Sequence, residues 1–285
     1  MDSTNRQASL LDQFRKQGYF VLRDVFSSDV VAGARGALNR LVDRHAEQLV
    51  GSGAIESLLP QEPFETRLYA LYRDCLDDAP QSWRPELHLP ELYAIFFHPA
   101  VLDVVSALLG AEVRLYPNYT VRPKLPDHPQ TLVLWHQDGG YTEHWHKSED
   151  GDVSQLGMVN VWTPLVPVRV ENGCMQFLAG THLVGLLPHE EREFYLEIPP
   201  QELEPFLDQV VDIELDPGDV VVFDNMLCHR GLPNRSQSIR WSIDWRYQDA
   251  RQSTLRDEQG HLARSLATPQ HVVDGPSDWA QRSFS

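Results

Sequence analysis

Three residues at two places in the chain have the types and settings to hold a metal. In "LVLWHQDGGY", residues 132–141, four apolar residues run into His136 and Asp138, spaced by one. Leu132 to Trp135 read as a buried strand, and residues two apart on a strand point the same way, ~7 Å apart. An imidazole and a carboxylate then project together from one strand end, with Gln137 pointing away. That is either two corners of a metal site or an ordinary polar strand end. His229, in "VVVFDNMLCHRG", has the same setting, after an apolar strand and before a turn. Two neutral imidazoles and one carboxylate on one side of a metal leave open positions on the other. This suits iron(II) that must bind a co-substrate and dioxygen together, although zinc is compatible with the same ligands. His144 and His146, in "HWH", form a second same-face pair. It is read as part of a loop over the site, and the charge run from Lys147 to Asp152 as a wet surface segment.

A second cluster lies in "SIRWSIDWRYQ". Ile239, Trp241, Ile243, Trp245 and Tyr247 alternate with Arg240, Ser242, Asp244, Arg246 and Gln248, so one strand face is apolar and the other polar. The polar face is either solvated or the wall of a reaction chamber. In a chamber, Arg240 offers a planar, permanently charged fork for a carboxylate. Arg246 shares that face but lies ~20 Å further along an extended strand, too far to anchor the same carboxylate.

Those strand ends need a scaffold. Up to about residue 110 the chain reads mainly as helix, with "YFVLRDVF" as a short strand. Val30, Val31, Ala34, Leu38, Leu41, Val42, His45 and Leu49 recur at helical spacing after a Ser27 or Ser28 cap, and His45 reads as a structural histidine. "HPAVLDVVSALLG" carries Pro99 just inside a helix start and Gly110 just past its end. After Gly110 come short segments rich in Val, Ile, Trp and Tyr, separated by "ENG", "DPGD" and "GLPNRS" turns. Many short strands without alternating helices predict a mainly β, antiparallel fold. The expectation is a double-stranded β-helix (jelly roll) with a helical N-terminal part packed on it. One domain is expected over residues 1–285: helical support over 1–110, the jelly-roll core over 111–250, and an irregular segment over 251–285. Residues 183–207 read as a long acidic, proline-rich excursion between strands.

The chain carries 41 acidic against 24 basic residues, a net charge of −17, with no basic stripe. This argues against nucleic acid and anionic membrane surfaces as partners, while leaving a local pocket free to oppose the global sign. No apolar run has the length of a membrane span, and the first residues lack a signal-peptide core. Cys75, Cys174 and Cys228 are few and scattered, which suggests a reducing, cytoplasmic setting rather than a disulfide framework. Cys228 reads as packing beside His229.

Three segments together resemble the phytanoyl-CoA dioxygenase-like branch of the iron(II)/2-oxoglutarate-dependent oxygenases: "WHQDGGY", "VWTPLVPVRVENGCMQFLAGTH" and "LDPGDVVVFDNMLCHRGLPNRSQSIRWSIDWRY". The similarity is good over residues 112–250 and looser before them. It implies His136, Asp138 and His229 as iron ligands and Arg240 as partner of the distal carboxylate of 2-oxoglutarate. It places Trp162 beside the co-substrate, and an upstream basic or amide residue as its helper: Arg122, with Asn118 and Lys124 as rivals. Some relatives have a serine where this chain has Gly231, which puts a hydroxyl contact to the co-substrate in doubt. The resemblance implies a dioxygenase oxidising a C–H bond of a small metabolite, with hydroxylation as the default outcome and succinate and CO2 as co-products. The competing reading is a non-redox, cupin-like jelly roll that binds a metal or sugar.

Overall fold

A computed structural model describes residues 3–145 and 152–284. In chain order the elements begin with α1 (Ser3–Gln17), β1 (Tyr19–Leu22), α2 (Ser28–Gly51), α3 (Phe64–Leu71), α4 (Tyr93–Phe96) and α5 (Pro99–Leu109). They continue with β2 (Val113–Leu115), β3 (Thr120–Lys124), β4 (Val133–His136), α6 (Asp138–Trp145), β5 (Met158–Pro164) and β6 (Met175–Leu178). Next are β7 (Glu190–Glu191), β8 (Leu196–Glu197), α7 (Pro200–Leu203), β9 (Val210–Ile213), β10 (Val220–Asp224) and β11 (His229–Gly231). The last are β12 (Arg240–Asp249), β13 (His261–Arg264) and α8 (Gly275–Gln281).

The strands build a seven-stranded sheet in the order β1-β10-β5-β12-β2-β13, with β3 also on β12, and a four-stranded sheet, β4-β11-β6-β9. Every pairing in both is antiparallel. Helices contribute more residues than strands, so the mainly β expectation becomes a mixed helix and antiparallel-sheet fold.

Strand alternation sorts the core into layers. Val220 and Val222 of β10 join the large cluster shared with α2, α3 and α5, whereas Val221 and Phe223 join a smaller one with Trp162, Met175 and Phe177. The helices therefore cover one face of the large sheet, and the four-stranded sheet faces the other. α2 starts as its sequence predicts, with the Ser27 hydroxyl accepting from the Val30 N–H at 3.4 Å. α5 opens on Pro99 and ends at Gly110, whose φ of +99° favours glycine. His45 is structural: its Nδ1 shares a 3.1 Å bond with the Tyr72 hydroxyl, and its Nε2 accepts from Trp83 at 3.3 Å.

β12 is the strand that the alternation singled out. Ile239, Trp241, Ile243, Trp245 and Tyr247 are all buried in the helix-side cluster. The opposite face is no solvated surface, because Arg240, Asp244 and Arg246 line a cavity between the sheets. Beside β12, β2 and β3 run end to end, and the break between them, residues 116–119, reaches the cavity through Asn118.

Two expectations need correction. Residues 251–285 are not simply irregular: β13 pairs with β2 at the sheet edge, and Trp279 of α8 is fully buried, donating to Leu87 O at 3.1 Å. Residues 139–145 form helix, not loop. His146 and residues 147–151 of the charge run lie outside the described residues.

Candidate metal centre and cavity

The strand register brings the two histidines together. β11 pairs with β4 so that His229 lies directly opposite His136, their rings 4.1 Å apart between centroids. Asp138 arrives differently from the sequence expectation. The strand stops at His136 and Asp138 opens α6, yet its carboxylate turns back to the imidazoles. Oδ1 is 3.8 Å from His136 Nε2 and Oδ2 is 3.8 Å from His229 Nε2. One ligand atom from each residue falls within 4.8 Å of the other two, the only such group among the described residues.

Hydrogen bonding fixes which nitrogens face inward. His136 Nδ1 donates to Leu134 O at 2.8 Å and His229 Nδ1 to Leu227 O at 2.9 Å. Both Nε2 lone pairs are thereby left for a metal, the arrangement that orients ligating histidines. Burial holds both imidazoles neutral: His136 is pulled down to about 3, and His229 is also lowered. Neutral imidazole is the form that binds metal. Burial is the largest single influence on the Asp138 carboxyl and would raise it, but Arg246, His229, His136 and Arg122 together outweigh it, and the net shift is downward.

The corner between His136 and Asp138 is locked. Gln137, fully buried, donates through Nε2 to Gly185 O at 2.8 Å and Met226 O at 2.6 Å, and its Oε1 accepts from Leu187 N at 2.8 Å. Its backbone N–H donates to His189 Nε2 at 3.0 Å. The Gly-Gly pair after Asp138 answers this packing. A Cβ on Gly139 would meet Met226 Sδ at 2.6 Å, and one on Gly140 would enter the His189 ring. Thr181, in "GTH", holds β11 in place by accepting from Cys228 N at 3.0 Å, and Cys228 packs in the core as expected.

The cavity above this centre has a volume of about 400 Å³. Arg240 lies in its wall, 4% exposed, its guanidinium 5.5 Å from the Trp162 ring centre. Burial pulls Arg240 down to about 10, still cationic at neutral pH. Its Nη1 donates to Ser242 Oγ and its Nε has no partner. Opposite it on β3 stands Lys124, buried, donating to Gly231 O at 3.3 Å and Leu232 O at 2.5 Å. A Cβ on Gly231 would lie 3.1 Å from that ammonium, so Lys124 takes the space a serine would need. Arg122 also lines the cavity, with Nε donating to Asp244 Oδ2 at 3.1 Å. Arg235 is exposed.

Sequence reasoning missed several cavity residues. Arg246 donates to Asp138 Oδ1. With its amide oxygen turned toward Arg246, Asn118 accepts from that guanidinium at 2.9 and 3.1 Å. The strand alternation already put Arg246 on the polar face, but nothing local named its partner. Asn160 lines the cavity with both amide atoms buried and unpartnered. Arg84, Arg256 and Tyr195 come from segments with no motif, and Tyr141 and Arg230 lie in the quoted motifs without having been given a role there.

Comparison with known proteins finds relatives of the same fold. A relative from Streptomyces arenae named 1-deoxypentalenic acid 11-beta-hydroxylase is 28% identical over 232 residues, 76% of each chain. The solved apo structure of the non-heme monooxygenase ThoJ superposes with a TM-score of 0.61 at 22% identity, covering 90% of this chain and 84% of that one. The structure of EctD from S. alaskensis with 2-oxoglutarate and 5-hydroxyectoine gives 0.60 at 21%, covering 99% and 84%. Residues 14–242 match the family model for phytanoyl-CoA dioxygenase (PhyH), and the chain belongs to that family of iron- and 2-oxoglutarate-dependent oxygenases.

Proposed function

We propose that this 2-oxoglutarate-dependent dioxygenase hydroxylates a C–H bond of a small metabolite in secondary metabolism, with His136, Asp138 and His229 holding iron(II). The observation that carries this reading is the pair of Nε2 atoms, each 3.8 Å from one carboxylate, with both Nδ1 atoms tied to backbone carbonyls. Three protein ligands leave open positions, which suits iron(II) with a chelating co-substrate and dioxygen. Bound there, iron with 2-oxoglutarate and dioxygen supplies the oxidant for the C–H bond, and succinate and CO2 are the co-products.

The chain's own residues position the reactants. Arg240 and Lys124 face each other across β12 and β3 with no carboxylate bonded to either, so Arg240 is assigned to the distal carboxylate of 2-oxoglutarate. Trp162 packs against that guanidinium and flanks the co-substrate. Arg122 assists from β3, its charge steadied by Asp244, while Asn118 serves Arg246 instead. Arg246 holds the metal-facing carboxylate in place. The two facing sheets are read as an open double-stranded β-helix, with the remaining elements as parts of a single domain.

A cavity of about 400 Å³ shared with the co-substrate favours a compact substrate over an acyl-coenzyme A enclosed whole. The test is product stoichiometry. Incubation with iron(II), 2-oxoglutarate and dioxygen should release succinate, and His136→Ala or His229→Ala should lower both succinate and bound iron. Wild-type turnover with one bound iron in either variant would refute the ligand assignment, and no succinate from iron-loaded protein would refute the oxygenase reading.

A further inference from the structure

Six arginines line the cavity against two carboxylates, Asp138 and Asp244, in a chain whose net charge is −17. Four of the six have work assigned by their contacts. Arg246 bonds to Asp138, and Arg122 bonds to Asp244. Arg230 donates to Gln176 at 2.8 Å and lies over the Trp135 ring at 4.7 Å. Arg240 is the residue given above to the co-substrate. Arg84 and Arg256 remain.

Neither of these two has a carboxylate partner. The one hydrogen bond Arg84 donates is from its backbone N–H, to Glu86 Oε2 at 3.2 Å, and its guanidinium bonds to none of the described residues. Burial together with the positive charges of Arg122, Arg246 and Arg256 draws it down to about 10, with Asp244 as the only opposing influence. Arg256 donates from Nη1 to Pro117 O at 3.0 Å and lies over the Tyr116 ring at 5.5 Å, but its Nε is buried without a partner. Buried polar groups are ordinarily satisfied, and like charges gathered in a cavity repel unless an anion joins them.

The co-substrate is not that anion. Arg256 sits on the β2–β3 break next to Asn118, which contacts Arg246. Arg240 lies six residues from Arg246 along β12, ~20 Å in an extended strand. A dianion with one end on the metal beside Asp138 and the other on Arg240 has its charges matched there, and leaves Arg84 and Arg256 without a counter-charge. The same cavity is lined by Tyr141, Phe194 and Tyr195, which offer apolar surface.

We propose that Arg84 and Arg256 form a second anion subsite that takes the carboxylate of a compact, otherwise apolar substrate and fixes which of its carbons faces the metal. Planar guanidinium forks suit a carboxylate. This inference rests on the oxygenase reading, because that reading assigns Arg240 to the co-substrate.

The test is anaerobic calorimetric titration of the iron(II)- and 2-oxoglutarate-loaded protein with 1-adamantanecarboxylate and with its neutral amide, 1-adamantanecarboxamide. Wild type should bind the carboxylate at least tenfold more tightly than the amide. Arg84→Ala should lose most of that preference, and Arg84→Lys should keep part of it. Because the Arg84 guanidinium makes no bond, Arg84→Ala should unfold at the wild-type denaturant midpoint, which separates lost recognition from lost structure. Its affinity for 2-oxoglutarate should stay within twofold of wild type. Equal binding of acid and amide, or no measurable binding of the acid, overturns the subsite. So does an undiminished preference in Arg84→Ala. A large loss of 2-oxoglutarate affinity would move Arg84 to the co-substrate and overturn it as well. If 2-oxoglutarate fails to bind iron-loaded wild type, the oxygenase reading itself falls, and that is seen before any acid is added.

Discussion

Replacing Arg246 with methionine removes the guanidinium that holds Asp138 and leaves the carboxylate in a nearly dry site. The two side chains are 9% and 13% exposed, so the pair is buried rather than solvent-screened. Breaking such a pair by removing one partner costs about 3–5 kcal/mol, because the remaining charge is stranded. Arg246 also donates to Asn118, which loses its partner in the same substitution. The metal-free Arg246→Met protein should therefore be less stable than wild type by about 3–5 kcal/mol in urea unfolding. Iron(II) should reverse much of this, since a cation again faces the carboxylate. A ligand that binds only the folded state contributes about 2.7 kcal/mol at 100 times its Kd. The stabilisation by iron should thus be larger in Arg246→Met than in wild type. Acid sensitivity should move too. The Asp138 carboxyl is held below its ordinary value, so its contribution is present above the unfolded value and lost as pH falls through the folded one. Without Arg246, burial dominates and the loss begins at higher pH. A double-mutant cycle with Asp138→Asn isolates the pair. A deficit below about 1 kcal/mol, or one that iron leaves untouched, would refute the assignment of Arg246 as the residue that holds this carboxylate.

Three further outcomes follow from the same geometry. Arg240→Ala should weaken 2-oxoglutarate binding by about 2–5 kcal/mol and Arg240→Lys by less, with Arg235→Ala unchanged, in titrations of iron-loaded protein. Loss in Arg235→Ala alone would move the anchor to the exposed turn. Gly140→Ala should push the His189 ring off the Gln137 N–H and destabilise by about 1–3 kcal/mol, with reduced iron retention, read by thermal unfolding and metal analysis. Metal-free protein should lose stability as pH falls from about 6.5 toward 3. The unfolded chain protonates His136 and His229 in that window, while the folded one, with His136 near 3 and His229 lowered, does not. The slope should reach about 1.4 kcal/mol per pH unit for each imidazole, and His136→Gln should remove one share of it.

What was legible in the sequence follows periodicity and motif. The alternation in β12 separated the helix-side apolar face from the face that brings Arg240, Asp244 and Arg246 to the cavity, which Trp245 also borders, because a two-residue period is a local property. The same local signals identified α2 and α5 and their ends. His136 and Asp138 stood out by spacing, but for a partly wrong reason: the strand ends at His136, and the turn into α6 brings the carboxylate back. The direct pairing of His229 with His136 is a register between distant strands, which no local pattern encodes. For the same reason the partner of Arg246 was invisible, although its face was not. β13 was missed because "HLAR" is four residues with one short alternation, and its burial depends on pairing with β2. Arg84 and Arg256 lie outside any repeating pattern, so only their convergence in the cavity marks them.

The central claim is that His136, Asp138 and His229 hold iron(II) with room for 2-oxoglutarate to chelate it beside Arg240. Adding 2-oxoglutarate to iron-loaded protein without oxygen tests this most directly. Wild type should develop a weak visible charge-transfer absorption that saturates with 2-oxoglutarate, and Arg240→Ala should need far more of it to reach the same amplitude. Iron demonstrably bound, with no absorption change at any 2-oxoglutarate concentration, would contradict the account and leave a metal-binding jelly roll without redox chemistry.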